Sequence, residues 1–271
     1  MKISVVINTY NAAEFLREVL DRVKGFDEIV VCDMESTDNT LEIAAEYGCK
    51  IVHFPKGNRT ICEPARNFAI QSASNPWVLV VDADELVPQA LKEYLYEFAK
   101  NPGEYAGVLI PRKNYMLHRF MSSSYPDYQL RFFLKDGSDW PHTIHSVPKV
   151  AGPVTKIPGR RKDLALIHLS STFFRSLRRL NDYSENEVER RKGEKVNLLK
   201  LIVEPSFRFF KTYFLKGGFR YGIVGLIQAH KNAIYKYIVL AKLYENDKSK
   251  KFWKDNDLNL TRHLDESEKK D

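Results

Sequence analysis

Val78, Leu79, Val80 and Val81 follow one another without a polar residue between them. A strand of that kind has to be covered on both faces, which is the situation of strands in parallel sheets flanked by helices. Directly after the run come Asp82, Ala83, Asp84 and Glu85. In open α/β sheets the carboxyl ends of the strands border the ligand crevice, and a strand's period of two directs Asp82 and Asp84 to the same side. Two carboxylates held that close repel each other unless a cation lies between them, and hard oxygen ligands suit Mg2+ or Mn2+. The pattern predicts a divalent metal site, against the plainer alternative of a solvated loop that caps the helix after Pro88.

The surrounding pattern agrees with a parallel sheet. Short apolar runs at 3–7, 28–32, 50–53 and 77–81 read as strands, and the stretches near 13–24, 39–47, 62–73 and 88–100 read as helices. This alternation predicts helices on both faces of the sheet. From 105 to 169 six prolines break the pattern, with short strands expected at 108–111 and 130–134, and loops of such length are usually functional. From Ser170 the chain reads as helical, with interruptions near Gly193, Pro205 and Gly217-Gly218. The expected division is a catalytic domain over 1–169 (a nucleotide-binding half, 1–104, and an acceptor-side half, 105–169), a basic helical extension over 170–245, and a charged, disordered tail over 246–271.

With 271 residues, of which 44% are hydrophobic, the chain can bury a sizeable core. Cys32, Cys49 and Cys62 have neither metal-ligand nor redox spacing and suit a reducing compartment. No run of about 18 uncharged apolar residues occurs, and the apolar start is too short for a signal segment, so the expected location is cytoplasmic, peripheral on the inner face of the membrane. The net charge of +7 is uneven: about −1 over residues 1–169, about +8 over 170–245 and about zero beyond. An anionic partner for the basic segment is expected, either nucleic acid or a membrane surface.

Each early strand ends in residues able to grip a ligand: Thr9, Tyr10, Asn11 and then Glu14 after the first, Asp33 and the run 35–40 after the second, the acids after the fourth. Taken singly, Ser36 to Thr40 also reads as a turn with a helix N-cap, and Asn11 as a cap for the helix near Glu14. The stretches "SVVINTYNAAEFLREVL", "DEIVVCDMESTDNT", "ARNFAI" and "WVLVVDADE" together resemble the successive signatures of inverting family 2 glycosyltransferases, most closely the bacterial subgroup of lipopolysaccharide-core β-glucosyltransferases. That resemblance runs in order from residue 1 to about 245. It implies a GT-A fold, a mostly parallel Rossmann-like sheet with helices on both faces and a C-terminal helical extension. It also implies a nucleotide-sugar donor, a glycan or lipid-linked acceptor and a divalent cation, Mn2+ or Mg2+.

Carried over position by position, the resemblance makes Thr9, Tyr10, Asn11 and Glu14 part of the nucleoside pocket, with Asp33 accepting from the base, for which uracil fits. Arg66 matches a cation near the base or phosphates, Asp82 reaches the ribose or metal, and Asp84 ligates the metal. His168, in "LIHLS", matches a recurrent histidine and is a candidate third ligand; the alternative is a satisfied core histidine. Inversion needs a base for the acceptor hydroxyl. Related proteins often carry His-Glu where this chain has His145-Ser146, so that glutamate is missing, and the candidates are Asp127, Glu85 and His145. Gln129 and Arg131 lie two and four residues beyond Asp127 and would share its strand face.

In "FRFFKTYFLKGGFRYG", Phe207, Phe210 and Phe214 recur at helical spacing among Arg208, Lys211, Lys216 and Arg220, a composition suited to a helix in the lipid headgroup layer. The alternative is ordinary packing. Three rival functions remain: a polyprenyl-phosphate glycosyltransferase, a haloacid-dehalogenase-type phosphatase, and a non-catalytic membrane or nucleic-acid binding module. The phosphatase lacks its downstream acidic pair, and a binding module has no use for Asp33, Asp82 and Asp84 at neighbouring strand ends. Nucleic acid is accordingly not expected as a partner.

Overall fold

The computed structural model describes residues 1–57, 62–141, 146–169 and 173–255. It divides into two compact units, Met1–Ser171 and Thr172–Asp271.

In the first unit the four expected strands form as β1 (Ile3–Thr9), β2 (Glu28–Asp33), β3 (Lys50–His53) and β4 (Trp77–Asp82). The helices between and after them are α1 (Leu16–Val23), α2 (Thr40–Glu46), α3 (Glu63–Gln71) and α4 (Gln89–Lys100). Strand β1 lies between β2 and β4, and β2 pairs with β3, all parallel. The uninterrupted apolar run of β4 is explained by its two faces: Trp77, Leu79 and Val81 join one buried cluster with Leu16 and Leu20 of α1 and Leu91 and Leu95 of α4. Val78 and Val80 join another, with Ala65, Ala69 and Ile70 of α3. Alternation by twos thus supplies apolar groups to both layers at once.

Beyond β4 antiparallel pairs join the parallel ones. A two-residue β5 (Glu85–Leu86) is followed by β6 (Gly107–Met116), β7 (Arg119–Phe120), β8 (Asp127–Leu134), β9 (Val154–Lys156) and β10 (Leu166–His168). The order is β3-β2-β1-β4-β8-β6-β10-β5, with β7 and β9 also on β6. Strand β8 sits antiparallel to both β4 and β6, whereas β10 and β9 run parallel to β6. The physical reason is the connection: only a short hairpin excursion, with no crossover helix, joins β6 to β8, and antiparallel neighbours need no more. Both strands are also longer than the short segments expected at 108–111 and 130–134.

The cysteine thiols behave as core groups. Burial pushes Cys32 up to about 12 and Cys49 up to about 11, and all three are free.

The second unit holds α5 (Phe173–Arg190), α6 (Leu198–Phe210) and α7 (Ile223–Asp255), with a π turn at Lys211–Leu215 and a 3-10 turn at Gly218–Tyr221. Pro205 does not interrupt the chain as expected; it lies inside α6. The other expected interruptions form: Gly193 lies between α5 and α6, and between α6 and α7 come Gly217, whose φ of 69° favours glycine, and Gly218, where a Cβ would meet the Thr212 carbonyl at 2.8 Å. Helix α7 also runs ten residues into the expected tail, whose remainder, 256–271, lies outside the described residues.

Candidate active site

Register brings the polar strand ends into one row, with Thr9 opposite Asp33 and Asn8 opposite Asp82. Asp33 is fully buried. Its carboxylate accepts from the Thr9 hydroxyl at 3.0 Å and from the Ser36 amide and hydroxyl at 2.9 and 2.5 Å. Three of the roughly four acceptor positions of a carboxylate are thereby filled. Asn11, at a φ of 48°, is tied to the loop after β2: its side-chain Oδ1 accepts from the Thr37 amide at 2.8 Å, and its backbone N–H donates to Ser36 Oγ at 2.9 Å. It therefore ties two loops together and does not cap α1. Asp38 lies one residue before the α2 N-cap, Asn39; its Oδ1 accepts from the Thr40 amide at 3.1 Å while Oδ2 accepts from the Ala13 amide. Tyr10 is 48% exposed beside this double loop, with Lys56 Nζ 4.8 Å above its ring, and Glu14 is half-buried just before α1.

Asp82 closes β4 between two guanidiniums. Arg66 of α3 donates to Oδ1 at 2.7 Å, and Arg131 of β8 donates to Oδ2. Burial alone raises the Asp82 pKa; Arg131 and then Arg66 overturn that and hold the carboxyl well below its usual range. Arg66 and Arg131 share the ring of Trp140, at 4.9 and 5.8 Å. Arg66 Nη1, Arg131 Nε and Nη1 and Trp140 Nε1 are buried donors without a partner among the described residues, an arrangement that favours an anion nearby. Glu85 is fully buried, accepts from Arg112 of β6 at 2.9 Å and from the Asp82 amide at 3.1 Å, and so belongs to this ionic floor.

Asp84 lies on the turn after β4 and not on the strand, so the period-two expectation fails for it. Asp82 faces the two arginines, whereas Asp84 faces His168 on β10, whose Nε2 is 3.5 Å from Asp84 Oδ1. Behind the imidazole stands Asn114 of β6. Its Nδ2 donates to Asp127 Oδ2 at 2.9 Å, which turns its Oδ1 toward His168 Nδ1 at 2.9 Å. A carboxylate can only accept, so this amide orientation is determined, and Nδ1 must carry the proton. A neutral His168 then directs the Nε2 lone pair at a carboxylate, a repulsive contact that protonation or an intervening cation removes. The His168 pKa responds accordingly: burial lowers it, and Asp84 more than compensates, leaving it raised.

These residues test the expected metal. One carboxylate oxygen and one imidazole nitrogen, with the other nitrogen held by an amide, are a donor pair suited to Mn2+ or Mg2+ with positions left for other oxygens. Asp82 does not belong to that pair, because its two oxygens are engaged by arginines. Among the described residues no group of three or more His, Cys, Asp or Glu is arranged to hold an ion; of the expected trio, Asp84 and His168 stand together and Asp82 is turned to the arginines.

Of the base candidates, Asp127 begins β8 with its side chain 31% exposed. Arg112 donates to it at 3.0 and 2.7 Å, Asn114 at 2.9 Å and Gln129 at 3.0 Å. Burial raises its pKa, but these hydrogen bonds, Asn114 and Arg112 first, leave it lowered. Asp127 and Gln129 share a strand face, but the register of β8 against β6 shifts at Arg131, so the expected alternation stops short of it. Glu85 is sealed from solvent, and His145 lies outside the described residues. Arg112, Asn114 and Trp140 went unnoticed in the sequence; the signal for the first two was their i, i+2 spacing on a strand read as ending at 111.

The sequence profile described as glycosyl transferase family 2 matches residues 4–152. A Rhizobium meliloti lipopolysaccharide core biosynthesis glycosyltransferase, LpsC, is 26% identical over 261 residues, covering 90% of this chain and 93% of that protein. A Rickettsia felis uncharacterized glycosyltransferase is 28% identical over 260 residues, covering 90% of each. Among solved structures, glucosyl-3-phosphoglycerate synthase from Mycobacterium tuberculosis in complex with Mn2+, UDP and glucosyl-3-phosphoglycerate matches with 23% identity and a TM-score of 0.35. The match covers 42% of this chain and 44% of that one, so this chain spans less than half of the solved protein and the likeness carries no argument.

Proposed function

Because the chain belongs to glycosyl transferase family 2, we propose that it transfers a hexose, with inversion, from UDP to a glycan or lipid-linked acceptor in the synthesis of cell-surface polysaccharide or lipopolysaccharide. The mixed α/β sheet accords with the GT-A expectation. The observation that carries the metal-dependent form of this reading is His168, its Nδ1 committed to Asn114 and its Nε2 turned toward Asp84.

In this reading Asp84 and His168 hold Mn2+ or Mg2+, which when bound offsets the negative charge growing on the departing diphosphate. The unpartnered donors of Arg66, Arg131 and Trp140 supply the same compensation from the protein side, with no reorganisation at the moment of bond breaking. Thr9, Tyr10, Asn11, Glu14 and Asp33 line the nucleoside end, where the remaining acceptor position of Asp33 is directed to the base. Asp127 is the proton acceptor for the sugar acceptor's hydroxyl. Its lowered pKa keeps it ionised through the neutral range and makes it a weak base, so positioning of the hydroxyl carries more of the rate than proton transfer. The curated relative from Rhizobium meliloti supports the cell-envelope setting, and the basic second unit supports peripheral contact with an anionic membrane surface, on the inner face of the cytoplasmic membrane.

Calorimetry with UDP tests this directly. Tight binding is expected only with Mn2+ or Mg2+ present; absence of binding with and without metal rejects the reading. A second expectation concerns the amide that sets the imidazole. Asn114→Leu removes the acceptor for Nδ1–H and weakens Mn2+ binding by about 10- to 100-fold, read as the Mn2+ concentration at half-maximal UDP binding. An unchanged Mn2+ requirement in a folded Asn114→Leu protein means that the amide does not orient His168.

A further inference from the structure

In the second unit a half-buried ion cluster lies where α6 meets its neighbours. Helix α6 packs along α7 through Leu201 and Glu204. Beneath it Glu204 meets Arg191 at 3.6 Å, Lys236 of α7 at 3.4 Å and Lys200 at 3.7 Å. Arg191 also binds Glu194 at 2.6 Å, and Lys236 reaches Glu187 of α5 at 3.5 Å. Hydrogen bonds from Arg191 and Lys200 hold the Glu194 carboxyl down at about 2. The buried apolar cluster among the described residues of this unit is small: Val188, Val239, Leu240 and Leu243.

The opposite face of α6 is apolar and exposed. Leu199, Ile202, Val203, Phe207 and Phe210 are between 48% and 70% accessible, and they follow one another at helical spacing. Phe214, Leu215, Phe219 and Ile223 extend the patch across the two tight turns to the start of α7, at 50% to 73%. A monomer in water does not leave an apolar surface of this length uncovered without a use for it. Arg208, Lys211, Lys216 and Arg220 are exposed along the same stretch. No helix of the described residues is long and apolar enough to cross a membrane, so the surface fits lying on a bilayer and not spanning it.

We infer that the exposed apolar face of α6, continued through the turns to Ile223, inserts into an anionic lipid bilayer, with the ion cluster around Glu204 holding α6 in the orientation that presents it. This inference rests on the reading that the acceptor is met at an anionic membrane surface, and it names the surface responsible. Charge complementarity selects the partner: a second copy of this chain would bring the same basic groups face to face, whereas anionic headgroups take them up. Glu204 is the orienting group because its carboxylate bridges cations before and beyond α6, and rotating the helix would break its contacts to Arg191 and Lys236.

Flotation of the full chain with vesicles tests this. Wild type is expected to float with vesicles containing about one-third phosphatidylglycerol and to float poorly with phosphatidylcholine alone. Phe207→Glu/Phe210→Glu is expected to lose at least about tenfold in partition to the anionic vesicles, with Mn2+-dependent UDP binding and monomer mass unchanged. Arg208→Glu/Lys211→Glu, which leaves the apolar face intact, should lose the preference for anionic lipid. Undiminished flotation of the Phe207/Phe210 variant overturns the assignment of this surface while leaving the membrane reading in place. Failure of wild type to float on either vesicle overturns both. A wild-type dimer that the phenylalanine variant converts to monomer assigns the face to a second copy and overturns the inference.

Discussion

Asp84→Ala is expected to abolish sugar transfer while the protein stays folded. The buried guanidiniums of Arg66, Arg112 and Arg131 pair with Asp82, Glu85 and Asp127, and Asp84 lies 3.5 Å from His168, so removing the Asp84 carboxylate strands none of those three. Losing one ligand of a two-ligand site removes several kcal/mol of charge stabilisation in the transition state. About 4 kcal/mol corresponds to a thousandfold fall in kcat. The melting temperature should move by no more than about 2 °C, the effect of a surface-type change under 1 kcal/mol, and the Mn2+ dependence of UDP binding should vanish with the activity. Full transfer by a folded Asp84→Ala protein would remove the metal from the mechanism.

Arg131→Met should do the reverse, damaging the fold more than any single change on the crevice rim. Arg131 is 5% exposed in its side chain and lies against Asp82 and, at 3.6 Å, against Glu85, which is wholly buried. Removing one partner of such a cluster leaves charge without compensation, a loss of about 3–5 kcal/mol, visible as a lower urea midpoint. Asp82→Asn in the Arg131→Met background should cost much less than it does in wild type, because the charge that needed Arg131 is gone.

The pH dependence has a definite sign. The folded Asp82 pKa is held below its unfolded value of about 4 by Arg131 and Arg66 acting against burial. Its contribution is therefore complete above that value and is lost as pH falls toward the folded pKa. Without Arg131 that carboxyl titrates closer to its ordinary value, so the stability gap between wild type and Arg131→Met should narrow from pH 7 to pH 3. A gap that widens on acidification would show that another group dominates.

Much of the first unit was legible locally. The four parallel strands follow from runs of four or five residues and the helices from spacing and punctuation, because these signals are carried by residues adjacent in the chain. Placement of the acids at the lip of the sheet followed from strand direction alone. The separation of Asp82 from Asp84 did not. Two residues apart, they looked equivalent, and what distinguishes them is that β4 stops at Asp82, where Arg131, 49 residues on, and Arg66 take its oxygens. The relay through Asn114 was likewise hidden, since it needs β6 to continue past Pro111 and β10 to arrive beside it, 54 residues later in the chain.

By itself the amino-acid sequence determined the parallel start of the sheet, the row of polar strand ends and the apolar, basic composition of α6, all consequences of side-chain periodicity. Only the tertiary structure decided that β8 enters antiparallel between β4 and β6, that Asp82 serves the arginines while Asp84 keeps His168, and that the apolar side of α6 is the exposed one. Those outcomes depend on which distant charges meet, and a buried or half-buried charge selects its partner by proximity in space, which spacing along the chain does not encode.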